Sequence, residues 1–374
     1  MRDNFDVVIV GAGIVGAACA LECAKNGLRT AVVESAGIGN GATAAGMGHI
    51  VVMDDSPAQL ALTLFSQTLW NDLSSRLPAN VEFDQCGTLW VASDEEEMQE
   101  VCRKNALYAA AGVRTEILDH RSLADAEPHL RKSLAGALLV PADAVLYPPC
   151  AAGYLISESL RLGARFYSRK VMSAKSGTVG LDDGAQLHSA HIVIAGGTDS
   201  CSLLPGLPIR KRKGHLVITD RYQRFVQHQL VELGYLKSAH SSTADSVAFN
   251  VQPRRTGQVL IGSSRQFGAD DPEVNAQVVA SMIQRAQWYL PEIGTLSAVR
   301  VWTGFRAATP DKLPLIGPWP DDESILLATG HEGLGITTSL GTAGLVADHL
   351  LGRPTAIALE PYLPARFARG ENHA

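Results

Sequence analysis

The sequence predicts an α/β domain with an α+β domain inserted into it. Three features of the 374-residue chain carry that prediction. A buried-strand pattern, a glycine-rich turn and a helix open the chain at residues 6–25. Strand and helix patterns alternate again near the C-terminus. Between them, residues 214–265 show the period of two that marks β-strands packed on one face.

Asp6–Val10 is a β-branched run of the kind found in buried parallel strands. Gly11-Ala12-Gly13-Ile14-Val15-Gly16 follows, then a helical stretch of small residues to about Lys25. Asn26-Gly27 suits the left-handed turn that ends a helix. Leu28–Glu34 is the second strand, which completes a βαβ unit, and a loop rich in glycine and alanine runs from Ser35 to Gly48. A helix is expected over 57–79, strands over 87–92, 114–118 and 134–140, and helices over 94–111, 122–126 and 149–163. Short strands are expected at 164–167 and 187–195. After the β-rich middle come a helix over 272–290, a strand at 325–328 and a closing helix over 336–351. This order predicts a discontinuous first domain (1–80, 140–212 and 298–374) and a second domain built from 81–139 and 213–297.

Composition excludes several classes. The chain is 46% hydrophobic and 19% charged, with a net charge of -6 and no polybasic block to attract nucleic acid or anionic lipid. The six cysteines form no C-x-x-C pair, so neither a zinc site nor an iron–sulfur site is expected, and no metal is assigned. They read as reduced thiols, with Cys19 and Cys23 as small buried side chains of one helix face. The apolar start lacks the basic flank of a signal peptide and is too short to span a membrane. A cytoplasmic location is therefore expected, with membrane association only through an electron acceptor.

The G-x-G-x-x-G run lies where its mechanism requires, between a strand and a helix. Gly11 permits the tight turn, Gly13 a close backbone approach to a pyrophosphate, and Gly16 close helix–strand packing. The helix start at Ile14 and Val15 offers N–H groups and positive dipole to phosphates. Glu34, followed by Ser35, ends the second strand, where a carboxylate accepts from ribose hydroxyls. This is a Rossmann-like signature. No second such motif is present, and the small-residue loop Gly39–Gly46 follows closely, which favours FAD over NAD.

Further motifs carry a family resemblance. Val193-Ile194-Ala195-Gly196-Gly197, Gly304-Phe305-Arg306-Ala307-Ala308-Thr309-Pro310-Asp311, Pro314-Leu315-Ile316-Gly317 and Thr329-Gly330-His331 follow the fingerprint in order. Together they make the whole chain resemble the amino-acid oxidase superfamily of FAD enzymes, which includes glycine oxidase, sarcosine oxidase and D-amino-acid dehydrogenases. The resemblance implies a glutathione-reductase-type FAD fold, with a β-rich substrate domain inserted in the Rossmann-like one.

It also implies site roles. Arg306 would pair with a substrate carboxylate, for which a planar guanidinium is suited, a structural ion pair being the competing reading. Gly333, Leu334, Gly335, Ile336 and Thr337 would aim the last helix at the flavin's pyrimidine carbonyl. Gly41, Ala42, Thr43, Met47, Gly48 and His49 would line the flavin and its tail, with Thr43 donating to phosphate. His49 would either contact substrate or be satisfied within its loop. Val171 would meet the adenine through its backbone, and Ala195 and Gly196 would lie along the cofactor. Arg265, Tyr235 and Lys213 are weaker substrate-domain candidates, Lys213 reading more readily as surface charge, and His331 reads as a turn residue. Trp302–Thr309 has no cysteine and Gly41–Gly46 no histidine, so FAD is expected to be noncovalent.

More narrowly, Ala42–His49 and Leu260–Phe267 resemble the β subunits of heteromeric D-hydroxyproline and opine dehydrogenases. That resemblance implies oxidation of a Cα–N bond by hydride transfer to flavin. It also implies partner subunits carrying a second FAD-type domain and a [2Fe-2S] cluster. Opines, or a stand-alone glycine, sarcosine or D-amino-acid oxidase releasing hydrogen peroxide, are the alternatives.

Overall fold

In the computed structural model, residues 4–234 and 246–367 are described. The expected architecture is present. The first sheet runs in the order Leu315–Trp319, Asp322–Thr329, Gln186–Ile194, Asn4–Val10, Thr30–Val33, Arg165–Tyr167. Four of the five junctions in that order are parallel, as helical crossovers require. Ile14–Lys25 crosses from the first strand to the second, and Gly27, at φ 78°, supplies the left-handed residue after it.

Helices Ile14–Lys25, Pro57–Ser74, Pro148–Arg161 and Gly335–Leu350 pack into one apolar core over this sheet. Cys19 and Cys23 are buried there, and burial pushes the Cys23 thiol up to about 12. Pro57–Ser74 ends earlier than the periodicity predicts, because Pro78 offers no N–H and biases Leu77 away from the helical region. The helix expected at 272–290 begins at Ala276, where the Asn275 side chain accepts from the Gln277 and Val278 N–H groups.

The second sheet is ordered Ala298–Ala308, Arg210–Arg221, Gln258–Phe267, Ser246–Pro253, Gln229–Glu232, Thr88–Ala92, Gly136–Val140, Glu116–Asp119. Every junction is antiparallel except Gln229–Glu232 against Thr88–Ala92. Arg210–Arg221 hydrogen-bonds along its length to Ala298–Ala308, so the limit at 212/213 falls inside the first strand and the limit at 297/298 assigns the second to a different domain from most of its partner. By sheet membership both strands go with the second domain. A two-stranded ladder, His49–Ile50 on Ala144–Val145, links the two sheets' neighbourhoods. Among the described residues no helix is long and apolar enough to cross a membrane. No group of three or more His, Cys, Asp or Glu among them could hold a metal ion.

Candidate active site

One large cavity runs between the two sheets, and its floor is the glycine turn. Gly11 sits at φ 106°, and a Cβ there would come within 2.7 Å of the Ala195 carbonyl oxygen. A Cβ on Gly16 would stand 2.0 Å from the Gly11 carbonyl oxygen. These contacts hold turn, strand end and helix together, as the fingerprint requires. Gly13 caps the helix without a side chain. The Ile14 N–H donates to Thr43 Oγ1 at 2.9 Å, which folds the small-residue loop onto the helix start. A hydroxyl that accepts one bond keeps a proton to donate. Glu34 accepts from the Ala12 N–H at 2.9 Å and the Ala36 N–H at 2.6 Å, and it lines the cavity.

The last helix opens onto the same cavity through Gly333, Leu334, Gly335 and Ile336. Its first turn is fixed by Trp70 Nε1, which donates to the carbonyls of Ile336 (3.2 Å) and Thr337 (3.1 Å). Thr337 Oγ1 donates to the His49 carbonyl at 2.9 Å. Two helix N-termini therefore face one cleft, and neither N-cap residue, Gly13 or Leu334, covers its helix end with its own side chain. Glycine cradles that a Cβ would fill, a carboxylate at the second strand end and two positive helix ends together fit a bound FAD.

Arg306 lies on the second sheet, and its guanidinium rests over Gly214, where a Cβ would meet Nη1 at 2.5 Å. Nη1 donates to the Ser264 carbonyl at 3.0 Å. Nearby, burial pushes the His49 imidazole down to about 4, the Gly333 backbone opposing and the Arg306 charge adding to it. His49 Nδ1 is buried without a hydrogen-bond partner. At neutral pH it is an uncharged imidazole beside the Arg306 guanidinium.

His331 is buried, its Nε2 3.0 Å from Thr342 Oγ1, and burial pushes it down to about 3. Both histidines bind protons less readily folded than unfolded. Their contribution to stability is therefore full above about pH 6.5 and falls as pH drops toward 4, by about 1.4 kcal/mol per pH unit per proton. His331→Asn should flatten the decline in melting temperature between pH 6 and 4; an unchanged slope would refute this account.

Not every expected residue reaches the cavity wall. Ala42, Met47, Ala195 and Gly196 do, with Gly41 at φ 64°. Gly16, Ser35, Gly48, Val171 and Thr337 do not. Gly48, at φ 97°, instead admits the Leu146 carbonyl, which a Cβ would meet at 2.0 Å. Val171 begins the strand Val171–Lys175, which pairs with Thr178–Leu181 at the side of the first sheet, and it packs against the outer core that contains Phe5. Lys213 is not surface charge: it is buried, paired with Asp271 at 2.8 Å, and off the cavity. Arg265 lines the cavity, and Tyr235 lies outside the described residues.

Sequence reading missed Arg212, Trp90, Gln229 and Asn250, all on the cavity wall. Arg212 pairs with Glu332 and stacks on Phe267 at 4.3 Å, closing the wall beside Arg306. The available signal was a polar residue inside an apolar strand, as in Ala248-Phe249-Asn250-Val251.

The cleft has the form of a flavin site, and residues 6–349 match the family described as FAD dependent oxidoreductase. The chain belongs to that family. Glycine oxidase from Geobacillus kaustophilus is 28% identical over 378 residues, covering 97% of each chain. A crystal structure of glycine oxidase from that organism superposes with a TM-score of 0.87 at 27% identity, covering 98% of this chain and 100% of that one. Hydrogen cyanide synthase subunit HcnC of Pseudomonas aeruginosa is 26% identical, covering 98% of this chain and 97% of its own. L-Proline dehydrogenase from P. horikoshii shares the fold, with a TM-score of 0.88 at 23% identity and coverage of 99% and 100%. The protein is thus an FAD-dependent oxidoreductase whose whole length follows the family architecture.

Proposed function

We propose that this flavoprotein oxidises the Cα–N bond of a small imino acid, D-hydroxyproline in the first instance, as the β subunit of a heteromeric dehydrogenase. The observation that carries the reading is Arg306 and uncharged His49 facing one cavity whose floor is the glycine turn. Arg306, propped by Gly214 and Ser264, would take the carboxylate and fix the substrate's orientation. His49 Nδ1 would accept a hydrogen bond from the substrate nitrogen; burial beside Arg306 keeps it from storing the proton as imidazolium. The Gly335 helix and the glycine turn would hold the FAD noncovalently, with Glu34 at the ribose. FAD supplies the two-electron acceptor.

Two observations support a small amino-acid substrate and a multi-subunit setting. Relatives along the full length are glycine oxidases, and another is a subunit of hydrogen cyanide synthase. Partner subunits with a second FAD-type domain and a [2Fe-2S] cluster would take the electrons onward. Opine oxidation in the same kind of complex is the second reading. A self-sufficient oxidase is the third, favoured by the glycine oxidase likeness.

The test is anaerobic mixing of the purified chain with cis-4-hydroxy-D-proline, an opine, sarcosine and glycine, followed by air. Flavin bleaching by the imino acid, slow recovery in air and fast recovery with an artificial acceptor are expected. Rapid recovery with stoichiometric peroxide would overturn the dehydrogenase assignment.

A further inference from the structure

The cavity wall opposite the glycine turn carries polar groups that the reading above does not use. Trp90, Gln229 and Asn250 lie on three neighbouring strands of the second sheet. Trp90 and Asn250 both stand directly opposite Val231, one on each side, and Gln229 is two residues from Val231 on the same strand. All three side chains therefore emerge from one face of the sheet. That face borders the cavity, whereas Leu89, Leu230 and Val251 turn to the apolar core behind.

Each of the three is at least nine-tenths buried, at 2%, 3% and 6% exposure. Trp90 Nε1, Gln229 Oε1 and Asn250 Oδ1 have no hydrogen-bond partner. A buried polar group without a partner costs stability, and three in a row on a cavity wall call for a ligand that satisfies them. The indole can only donate, while each amide presents an acceptor.

Trp90 is held in place from behind. Lys104, on helix Glu95–Ala110, is fully buried and ion-paired with Asp54, and its Nζ sits 4.4 Å from the indole centroid. This cation–π contact makes Lys104 a positioning residue for the indole N–H. The strands of Asn250, Gln229 and Trp90 are two, three and four strands from the one carrying Gly214, about 10, 14 and 19 Å across the sheet, the Arg306 and Trp90 side chains reaching toward each other over it. A substrate anchored at Arg306 over Gly214 therefore reaches this row only with the side of its skeleton remote from the carboxylate.

We infer that Trp90, Gln229 and Asn250 form a polar subsite for a hydroxyl carried by the substrate on the side away from its carboxylate. The hydroxyl accepts from the indole N–H and donates its one proton to the amide oxygen of Gln229 or Asn250. Glycine or sarcosine would leave the row unsatisfied. The inference rests on the cavity being an imino-acid oxidation site and specifies which imino acid fits it.

Calorimetry on the FAD-loaded full chain tests the subsite without chemistry. The probes are two ring acids with no oxidisable amine, cis-3-hydroxycyclopentanecarboxylate and cyclopentanecarboxylate. The hydroxylated acid should bind at least about tenfold tighter. Trp90→Phe, and whichever of Gln229→Met and Asn250→Leu removes the accepting amide, should weaken it by about 5- to 10-fold and leave the plain ring within about twofold. The last two roughly conserve volume and keep the test valid if the tryptophan variant does not fold. Equal binding of both acids, or parallel loss of both, would overturn the subsite.

Anaerobic flavin reduction then separates the two claims. If cis-4-hydroxy-D-proline and D-proline are oxidised equally well, the subsite fails and the imino-acid reading stands. If only glycine or sarcosine is oxidised, both fall. Oxidation of an octopine-type opine, which carries no hydroxyl, in place of the ring substrate would overturn both the subsite and the ring substrate.

Discussion

Replacing Arg306 by methionine should lower kcat/KM for carboxylate substrates by about 100- to 1,000-fold, mostly through KM, while FAD remains bound. The guanidinium rests on Gly214 and is tied to the Ser264 carbonyl, so its position is set before substrate arrives. Removing it leaves a carboxylate facing uncharged His49 in a desolvated cleft, where neighbouring Arg212 is already paired with Glu332. Arg306→Lys should recover part of the loss, because an ammonium keeps the charge but not the planar fork. An amine substrate lacking the carboxylate should lose little in either variant, and that comparison separates anchoring from general damage. Unchanged kinetics with carboxylate substrates, or equal losses with both substrate types, would remove Arg306 from its assigned role.

The features legible in the sequence are those written locally. The turn Gly11–Gly16, the carboxylate Glu34, and the helix start at Gly335 each lie within a short stretch whose geometry follows from its own residue types. The second sheet is different. Its one parallel junction, Gln229–Glu232 on Thr88–Ala92, joins segments far apart in sequence, and no local pattern encodes it. That junction brings Trp90, Gln229 and Asn250 into one row, so the row was invisible from strand patterns alone. Ala298–Ala308 misled for a related reason. It continues directly into Leu315–Trp319 of the first sheet, yet its own hydrogen bonds go to Arg210–Arg221 of the second. Lys213 shows the limit of charge as a guide: its stem is buried in the strand pairing and only its partner Asp271 is exposed. His49 could be flagged as a candidate, but its charge state depends on burial first, and then on the distant Gly333 backbone and Arg306 charge.

Gly16→Ala should abolish FAD retention and lower the melting temperature by several degrees, although it adds a single methyl group. The added Cβ would stand 2.0 Å from the Gly11 carbonyl oxygen and 3.3 Å from the Ala195 side chain. The first obstacle is backbone, so no rotamer change relieves it, and the helix start must move away from the strand. That motion displaces the Ile14 N–H from Thr43 and opens the turn where phosphates would sit, so FAD binding and stability fall together. Overpacking of this kind costs about 1–3 kcal/mol in stability alone. Gly153→Ala is the matched control. Gly153 lies within helix Pro148–Arg161 with nothing within 4 Å of its Cβ position, so the same substitution should be neutral or stabilise by up to about 1 kcal/mol. Absorbance of the bound flavin and thermal unfolding of both variants decide the matter. A yellow, stable Gly16→Ala protein would mean that the helix and strand can separate without cost, and that the fingerprint's third glycine has no packing role in this chain.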